Sequence, residues 1–343
     1  MALFCNYSYL LTHMYSAELL DLIDCLCLIL AHTKVIFKCF VFWLNQRKFI
    51  QILTIMTEDW NDCVDNDISM RETSKKAKLS DRLVNAIIIL HTATIFAYCM
   101  GIFLIDVDVT DQTTELPFMG KLELPFRINT QRSYRLMLIA QFLHLILCGW
   151  VAGITNVLLL TLTLHAAGQI DILCYWLTQF ASHENKSIVI TTRKIIQKHK
   201  KIINFSENIE CLYTYIALLQ FVSNTVMICC LCFLIITAIG SPNAVEQIMR
   251  SLLFYTITNL EAFIFCFAGE YMSHKSKEIG AASYNSTWYN LKSKDSRVLL
   301  FVILRSQKQL TFTAGKITIL SLETFTKIMN ASGSYLSMLL AMR

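Results

Sequence analysis

The chain has 343 residues, 55% of them hydrophobic and 16% charged, with a formal net charge of +5, 10 glycines and 3 prolines. So much apolar content with so little charge excludes an ordinary soluble domain and a disordered chain, and leaves a helical membrane protein. The 13 cysteines are an odd number, set mostly inside apolar runs such as MICCLCFL (227–234). A thiol there behaves as a small hydrophobe, so they predict buried structural thiols, with no disulfide framework and no metal site.

A bilayer core of about 30 Å takes about 20 apolar residues as helix. In chain order, MALFCNYSYLLTHMYS (1–16) is too short to cross, and lacks the basic start and sustained apolar stretch of a signal peptide. The segment 19–44 is the first span, although it carries Asp21, Asp24, Lys34 and Lys38. Leu83–Ile105 and Leu136–Leu164 follow without a charge. The basic stretch TTRKIIQKHKKIINFSENIE (191–210) has no Pro or Gly and repeats Ile195, Ile202 and Ile209 at heptad spacing. It predicts one long helix projecting from the membrane and running straight into the uncharged span Cys211–Ile239. Ser251–Gly269, interrupted by Glu261, and Ile317–Met342, with Glu323 and Lys327 in its first half, complete six spans.

Orientation follows from the basic residues between spans. Segments 45–82, 165–210 and 270–297 hold eighteen Lys and Arg, against five in 106–135, 240–249 and the final Arg343. The first set is therefore expected in the cytoplasm and the C-terminus outside. Six crossings would leave the N-terminus outside too, with no signal to carry it there. The expectation is an original seven spans with a cytoplasmic start, one span being absent upstream. That is the reverse of a G-protein-coupled receptor, and neither Asp-Arg-Tyr nor Asn-Pro-x-x-Tyr is present at the places that family requires.

The last sixty residues carry a pattern. SYNSTWYNLKSKDSRVLLFVILRSQKQLTFTAGKITILSLETFTKIMNASGSYLSMLL holds Tyr284, Trp288 and Tyr289, then Arg305 and Ser306, then Thr313, Ala314, Gly315 and Lys316. Ser321, Leu322, Glu323 and Phe325 follow, and then the pair Ser334 and Tyr335. This resembles the C-terminal signature of insect odorant receptors. A looser likeness extends through FWLNQRKFIQILTIMTEDW (42–60), LHAAGQIDILCYWL (164–177) and CFAGEYMSHKSKEIGAASY (266–284).

The resemblance implies an all-α, polytopic membrane bundle of inverted topology, with six of the family's seven spans present. It implies an odorant-specific subunit that gates a non-selective cation channel in a heterotetramer with the odorant receptor co-receptor, in the plasma membrane of olfactory neurons. Residues 1–165 would form the odorant-binding bundle. Residues 166–343 would supply the later spans, a cytoplasmic anchor (about 166–210 and 270–316) and a pore helix (317–342). On that helix, Glu323 and Lys327 stand i,i+4 in the favourable order for a mutual pair. Met338 and Met342 fall where family pores carry apolar gate residues, which close a pore by dewetting. The plain alternative is that both methionines pack against adjacent helices.

The family's odorant site lies in the outer half of the bundle. The residues at that depth here are Leu28 and His32; Thr94, Tyr98 and Gly101; Gln141, Leu145 and Cys148; and Phe254 with Tyr255. Small volatile ligands offer few hydrogen bonds, so such a site binds by apolar burial and selects by shape. His144 and Trp150 face either this site or another helix. Glu261, an acid inside a span, is a functional candidate or a hydrogen-bonded link between helices.

Of five glycosylation sequons, the predicted topology leaves only Asn6 outside and accessible. The basic run 193–201 beside a membrane is inner-face charge bias or contact with anionic lipid rather than a nucleic-acid site. No phosphate loop or catalytic triad is written in the chain, so neither an enzyme nor a cofactor is expected. Two other classes share some of these features. A gustatory receptor has the same topology but ends on Gln-Phe, which SYLSMLLAMR lacks. A secondary transporter would show repeated halves or a broken helix at the midplane.

Overall fold

The computed structural model describes residues 2–15, 18–64, 66–104, 117–120, 128, 130–180, 185–240, 244–291 and 293–341. α1 (Ala2–His13) folds back along α2 (Leu19–Leu44), and α3 (Gln46–Cys63) follows after a break at Asn45. The rods of the bundle are α4 (Asp67–Leu104), α5 (Gln131–Gln179), α6 (Asn185–Ala238) and α7 (Ala244–Asn285). A 3-10 turn (Trp288–Asn290), α8 (Ser293–Ser306) and a small hairpin of β1 (Thr313–Ala314) and β2 (Thr318–Ile319) lead into α9 (Leu322–Ala341). α6 packs against α2, α3, α5, α7 and α9 and so forms the centre of the bundle.

The long helices explain why apolar runs and basic segments alternate in the sequence. At 1.5 Å per residue the 49 residues of α5 and the 54 of α6 reach about 74 and 81 Å, well beyond a bilayer core of about 30 Å. The segments read as connections between spans are therefore largely helix: α4 begins at Asp67, α5 runs on to Gln179, and α7 to Asn285. The expectation for 191–210 holds, since it and the following span are one rod. Ile195, Ile202 and Ile209 are all buried on the seam of α6.

Among the described residues, α2, α4, α5, α6 and α7 are long and apolar enough to cross a membrane. The sixth expected span needs correction. It begins at Leu322 rather than Ile317, because residues 313–319 form the hairpin, and its helix carries enough Ser, Thr and Asn to set it apart from the other five. The Thr-Ala-Gly-Lys run is the tip of that hairpin, with Gly315 at φ 59° and Lys316 at φ 61°. Gly315 donates its N–H to the Thr214 carbonyl at 2.8 Å, and a Cβ there would sit 2.7 Å from Leu218 Cδ2. Glycine thus meets both a left-handed turn and a close approach to α6. The Glu210 carboxylate accepts the Thr313 N–H at 2.8 Å and also the Thr313 hydroxyl. The Ser321 hydroxyl then caps α9 by accepting the Thr324 N–H at 3.2 Å.

Lipid tails are as apolar as leucine, so inside a bilayer close packing and polar contacts decide which helices associate. Gly149 and Gly153, four apart on α5, face Ile95 and His91 and let α4 approach. At the end of the bundle where α3, α5 and α6 meet, Asp59 is gripped by Lys198 Nζ at 2.9 Å, Lys201 Nζ at 3.1 Å and His165 Nε2 at 3.1 Å. Burial alone would raise the Asp59 carboxyl, but the His165 hydrogen bond and the Lys198 ammonium outweigh it and hold it at about 2. At the same end Asp171 joins Lys76 of α4 at 3.2 Å and Lys275 of α7 at 2.9 Å. Eight of the thirteen cysteines are buried, as expected of thiols set in apolar runs. Asn6 is not an accessible sequon: its side chain is buried, with Nδ2 3.5 Å from His32 Nδ1, which leaves no room for a glycan.

Candidate functional site

A cavity of about 140 Å³ opens between α2, α4, α5 and α7. For scale, a dry cavity of about 150 Å³ lined by aliphatic and aromatic side chains takes up benzene. Its walls include Leu28 and His32 from α2, Thr94 and Tyr98 from α4, Leu145 and Cys148 from α5, and Phe254 from α7. These seven sequence candidates therefore surround one space. The lining combines residues from either side of position 165, so the cavity crosses the division expected there.

Two candidates sit elsewhere. Tyr255 packs between two clusters of apolar side chains. Gln141 accepts the Met119 N–H at 3.2 Å. Gly101 lies on α4, and its surroundings fall outside the described residues. Trp150 and His144 both face another helix: Trp150 donates to the Thr92 hydroxyl at 3.1 Å, and His144 stacks on His32 with centroids 5.0 Å apart.

Tyr98 has a double role. Its ring lines the cavity, and its hydroxyl donates to the Met119 carbonyl at 3.1 Å while accepting from Arg250 Nη2 at 2.8 Å. The Arg250 guanidinium also lies over the ring, 4.6 Å from its centroid. Tyr134 donates to the Pro117 carbonyl at 2.7 Å. Residues 117–120 are thereby tied to α4, α5 and α7 next to the cavity.

The floor of the cavity is polar, and the pairing of its charges escapes sequence reading. Lys34, Lys38, His91 and Glu261 all line it. Glu261 is 4% exposed and Lys38 2%. The Glu261 carboxylate accepts from Lys34 Nζ at 2.9 Å, Gln220 Nε2 at 2.5 Å and Asn156 Nδ2 at 3.4 Å, with Lys38 Nζ at 3.7 Å. Lys34 also donates to Asn224 at 3.0 Å and Lys38 to Asn156 at 3.3 Å. One carboxylate thus joins α2, α5, α6 and α7. Glu261 and the lysines are visible as charges inside spans, but Glu261 lies 227 residues from Lys34 and 105 from Asn156, and even Gln220 is 41 residues away.

α9 has two unlike faces. Thr324, Ile328 and Ser332 are buried against the bundle, and Ser332 donates to the Thr225 carbonyl of α6 at 3.2 Å. The other face exposes Glu323, Lys327, Asn330, Ser334, Ser337 and Met338, the last at 64%. Glu323 and Lys327 form the anticipated pair at 2.6 Å. Met342 lies outside the described residues.

The sequence as a whole matches a family model described as 7tm odorant receptor over residues 18–333. The chain belongs to the 7tm odorant receptor family. It is 35% identical to Odorant receptor 10 of Aedes albopictus over 158 residues, 46% of this chain and 41% of that protein. It is 29% identical to Odorant receptor Or2 of Anopheles gambiae over 157 residues, 46% of this chain and 40% of that one. The matched stretch thus spans about two-fifths of the length of these curated relatives. The fold is that of the insect olfactory receptor OR5 from Machilis hrabei, solved in complex with eugenol, at a TM-score of 0.83 and 13% identity. That superposition covers 100% of this chain and 88% of the other. The family member described here is accordingly a multi-pass helical membrane protein, and its all-α bundle is the odorant-receptor fold.

The structure adds one grouping that the sequence reading excluded. His32, His144 and Cys148 bring their ligand atoms within 4.8 Å of one another. No metal group was expected because the third member, His32, is over a hundred residues from the other two. The i,i+4 spacing of His144 and Cys148 was the available signal.

Proposed function

We propose that the chain is an odorant-specific subunit that binds small volatile, mostly apolar ligands in the cavity between α2, α4, α5 and α7, and so gates a non-selective cation channel. The observation that carries the reading is the cavity itself, sized for a benzene-scale molecule, walled mostly by apolar side chains and with its lysines and Glu261 gathered at its floor. A ligand there gains about 25 cal/mol for each Å² of apolar surface it buries. The polar floor offers acceptors and donors to a single hydroxyl or carbonyl on the ligand.

The channel half of the proposal rests on α9. A face carrying Glu323, Lys327, Asn330, Ser334 and Ser337 is costly against lipid and suits a water-filled passage or neighbouring subunits. Met338 on the same side is the candidate gate residue, and Met342, outside the described residues, is the second candidate. The chain pairs with the odorant receptor co-receptor in a heterotetramer, each subunit giving its last helix to the central pore. Phe301 and Leu304 of α8, with Tyr289 before it, are exposed and supply an apolar contact surface in the anchor. The receptor sits in the plasma membrane of olfactory neurons, with its basic end in the cytoplasm and its C-terminus outside.

Whole-cell recording with the co-receptor tests the division of labour. Tyr98→Ala is expected to shift the potency ranking of an odorant panel while leaving the reversal potential unchanged. Met338→Glu is expected to alter permeation or basal current and keep the ranking. A Met338 variant that reorders odorants, or a Tyr98 variant that changes ion selectivity, would put the ligand site and the pore on the wrong helices.

A further inference from the structure

His144 and Cys148 stand one turn apart on α5, with Cys148 Sγ 3.6 Å from His144 Nε2 and 4.0 Å from Nδ1. His32 reaches them from α2, its ring stacked on that of His144 at an interplanar angle of 17°. Tetrahedral ligands about 2.0–2.3 Å from one ion are separated by roughly 3.3–3.8 Å. The Cys148–His144 separation already falls in that range. The outer bound of 4.8 Å for the whole set needs about 1 Å of closure, and because a ring nitrogen coordinates in its own plane, the His144 ring must turn out of its stack on His32 to supply it.

The tautomer of His32 supports the same reading. Its Nδ1 lies 2.8 Å from the Leu28 carbonyl, which can only accept, and that contact is much shorter than the 3.5 Å approach of the Asn6 amide, so the geometry assigns the hydrogen to Nδ1. The lone pair is then on Nε2, the arrangement in which a backbone carbonyl fixes a ligating histidine. Two imidazoles and one thiolate suit a borderline-soft divalent ion and not magnesium or calcium. His32 and Cys148 also line the cavity, so three protein ligands would leave the ion's fourth position turned toward the space where the odorant is proposed to bind.

We propose that His32, His144 and Cys148 bind one zinc-class divalent ion in the cavity wall, and that its open position takes odorants bearing a sulfur donor. Loading breaks the Cys148 S–H bond, forms the S–metal bond and releases that proton to solvent. The bound ion then has one residual positive charge. An alkanethiol neutralises it by coordinating as thiolate, its own proton also passing to solvent. The odorant half rests on the proposed function; the metal half does not.

The full chain, purified in detergent, is titrated with Co²⁺ as a spectroscopic stand-in for zinc. The expected result is a thiolate-to-cobalt charge-transfer band at one equivalent, displaced by Zn²⁺. Cys148→Ser abolishes the band, while His32→Ala and His144→Gln each weaken cobalt binding by at least about tenfold. Cys39→Ser and Cys211→Ser, which remove exposed thiols, keep the band. Metal-free variants that elute and melt like the wild type establish that folding is intact. No band in the wild type, or a band that survives Cys148→Ser, would overturn the site. Hexanethiol added to the cobalt-loaded chain is expected to change the band and hexanol to leave it alone; equal behaviour would overturn the open position. A normal cobalt spectrum from a chain that yields no odorant current would refute the proposed function and keep the metal site.

Discussion

Glu261→Gln removes the one negative charge from the cavity floor and keeps the side chain's shape. In the wild type its carboxylate lies 2.9 Å from Lys34 Nζ and 3.7 Å from Lys38 Nζ. In an effective dielectric of about 20, unit charges at those distances attract by roughly 6 and 4 kcal/mol. The loss falls short of that sum because neighbouring amides such as Asn224 and Asn156 still accept from the stranded ammonium groups. The substitution also turns an amide N–H₂ toward donors, leaving Gln220 or Asn156 short of an acceptor. A net destabilisation of about 3–5 kcal/mol follows, the range for breaking a buried pair. Unfolding the purified chain in mixed micelles with increasing detergent denaturant measures it. Replacing the whole ionic set, Lys34→Met with Lys38→Met and Glu261→Met, is expected to be more stable than Glu261→Gln alone, since no charge is then stranded. A Glu261→Gln protein within about 1 kcal/mol of the wild type, or a triple variant less stable than the single, would refute the ionic account.

Asp59 gives a pH prediction with a definite sign. Its carboxyl is held at about 2 against an ordinary 3.8, so its stabilisation, roughly 2.5 kcal/mol, is full above pH 4 and is lost as pH falls toward 2. Over that window the wild type should lose stability more steeply than Asp59→Asn in the same unfolding assay. Gly269→Ala should be among the more damaging single-methyl changes, because the added Cβ would meet the Leu320 carbonyl oxygen at 2.3 Å. A cost of about 1–3 kcal/mol is expected, against little for Gly333→Ala, where the space is open; equal melting temperatures would contradict it. An epitope tag after Arg343 should stain intact cells, and staining only after permeabilisation would reverse the proposed orientation.

The helices were legible because each span is an apolar run and the seam of α6 repeats every seven residues at Ile195, Ile202 and Ile209. Seven cavity residues were legible for a similar reason, since depth along a helix can be counted once its ends are placed. What the sequence withheld is non-local. Glu261 is separated from Lys34 by 227 residues, and no periodicity ties an acid on one helix to a base on another. The start of α9 was misjudged because Ile317 and Ile319 read as the first turn of an apolar helix. Gly315 and Lys316 at positive φ place them instead in a hairpin that is held by Glu210 and Thr214 of α6.

That hairpin makes α6 a lever arm. The rod is about 81 Å long. Its early turns carry Lys198 and Lys201, which clamp it to Asp59 of α3, and its middle holds the loop that leads directly into α9. Further along, Asn224 and Gln220 touch the ionic floor of the cavity. A stiff rod that pivots at its clamped end by 5° displaces a point 40 Å away by roughly 3.5 Å, a distance set by helix rise alone. The fulcrum, the load at the hairpin and the effort at the cavity floor thus lie along one helix. A side-chain-sized push at Asn224 would be delivered to the base of α9 as a rigid shift, with no need for the intervening turns to change shape.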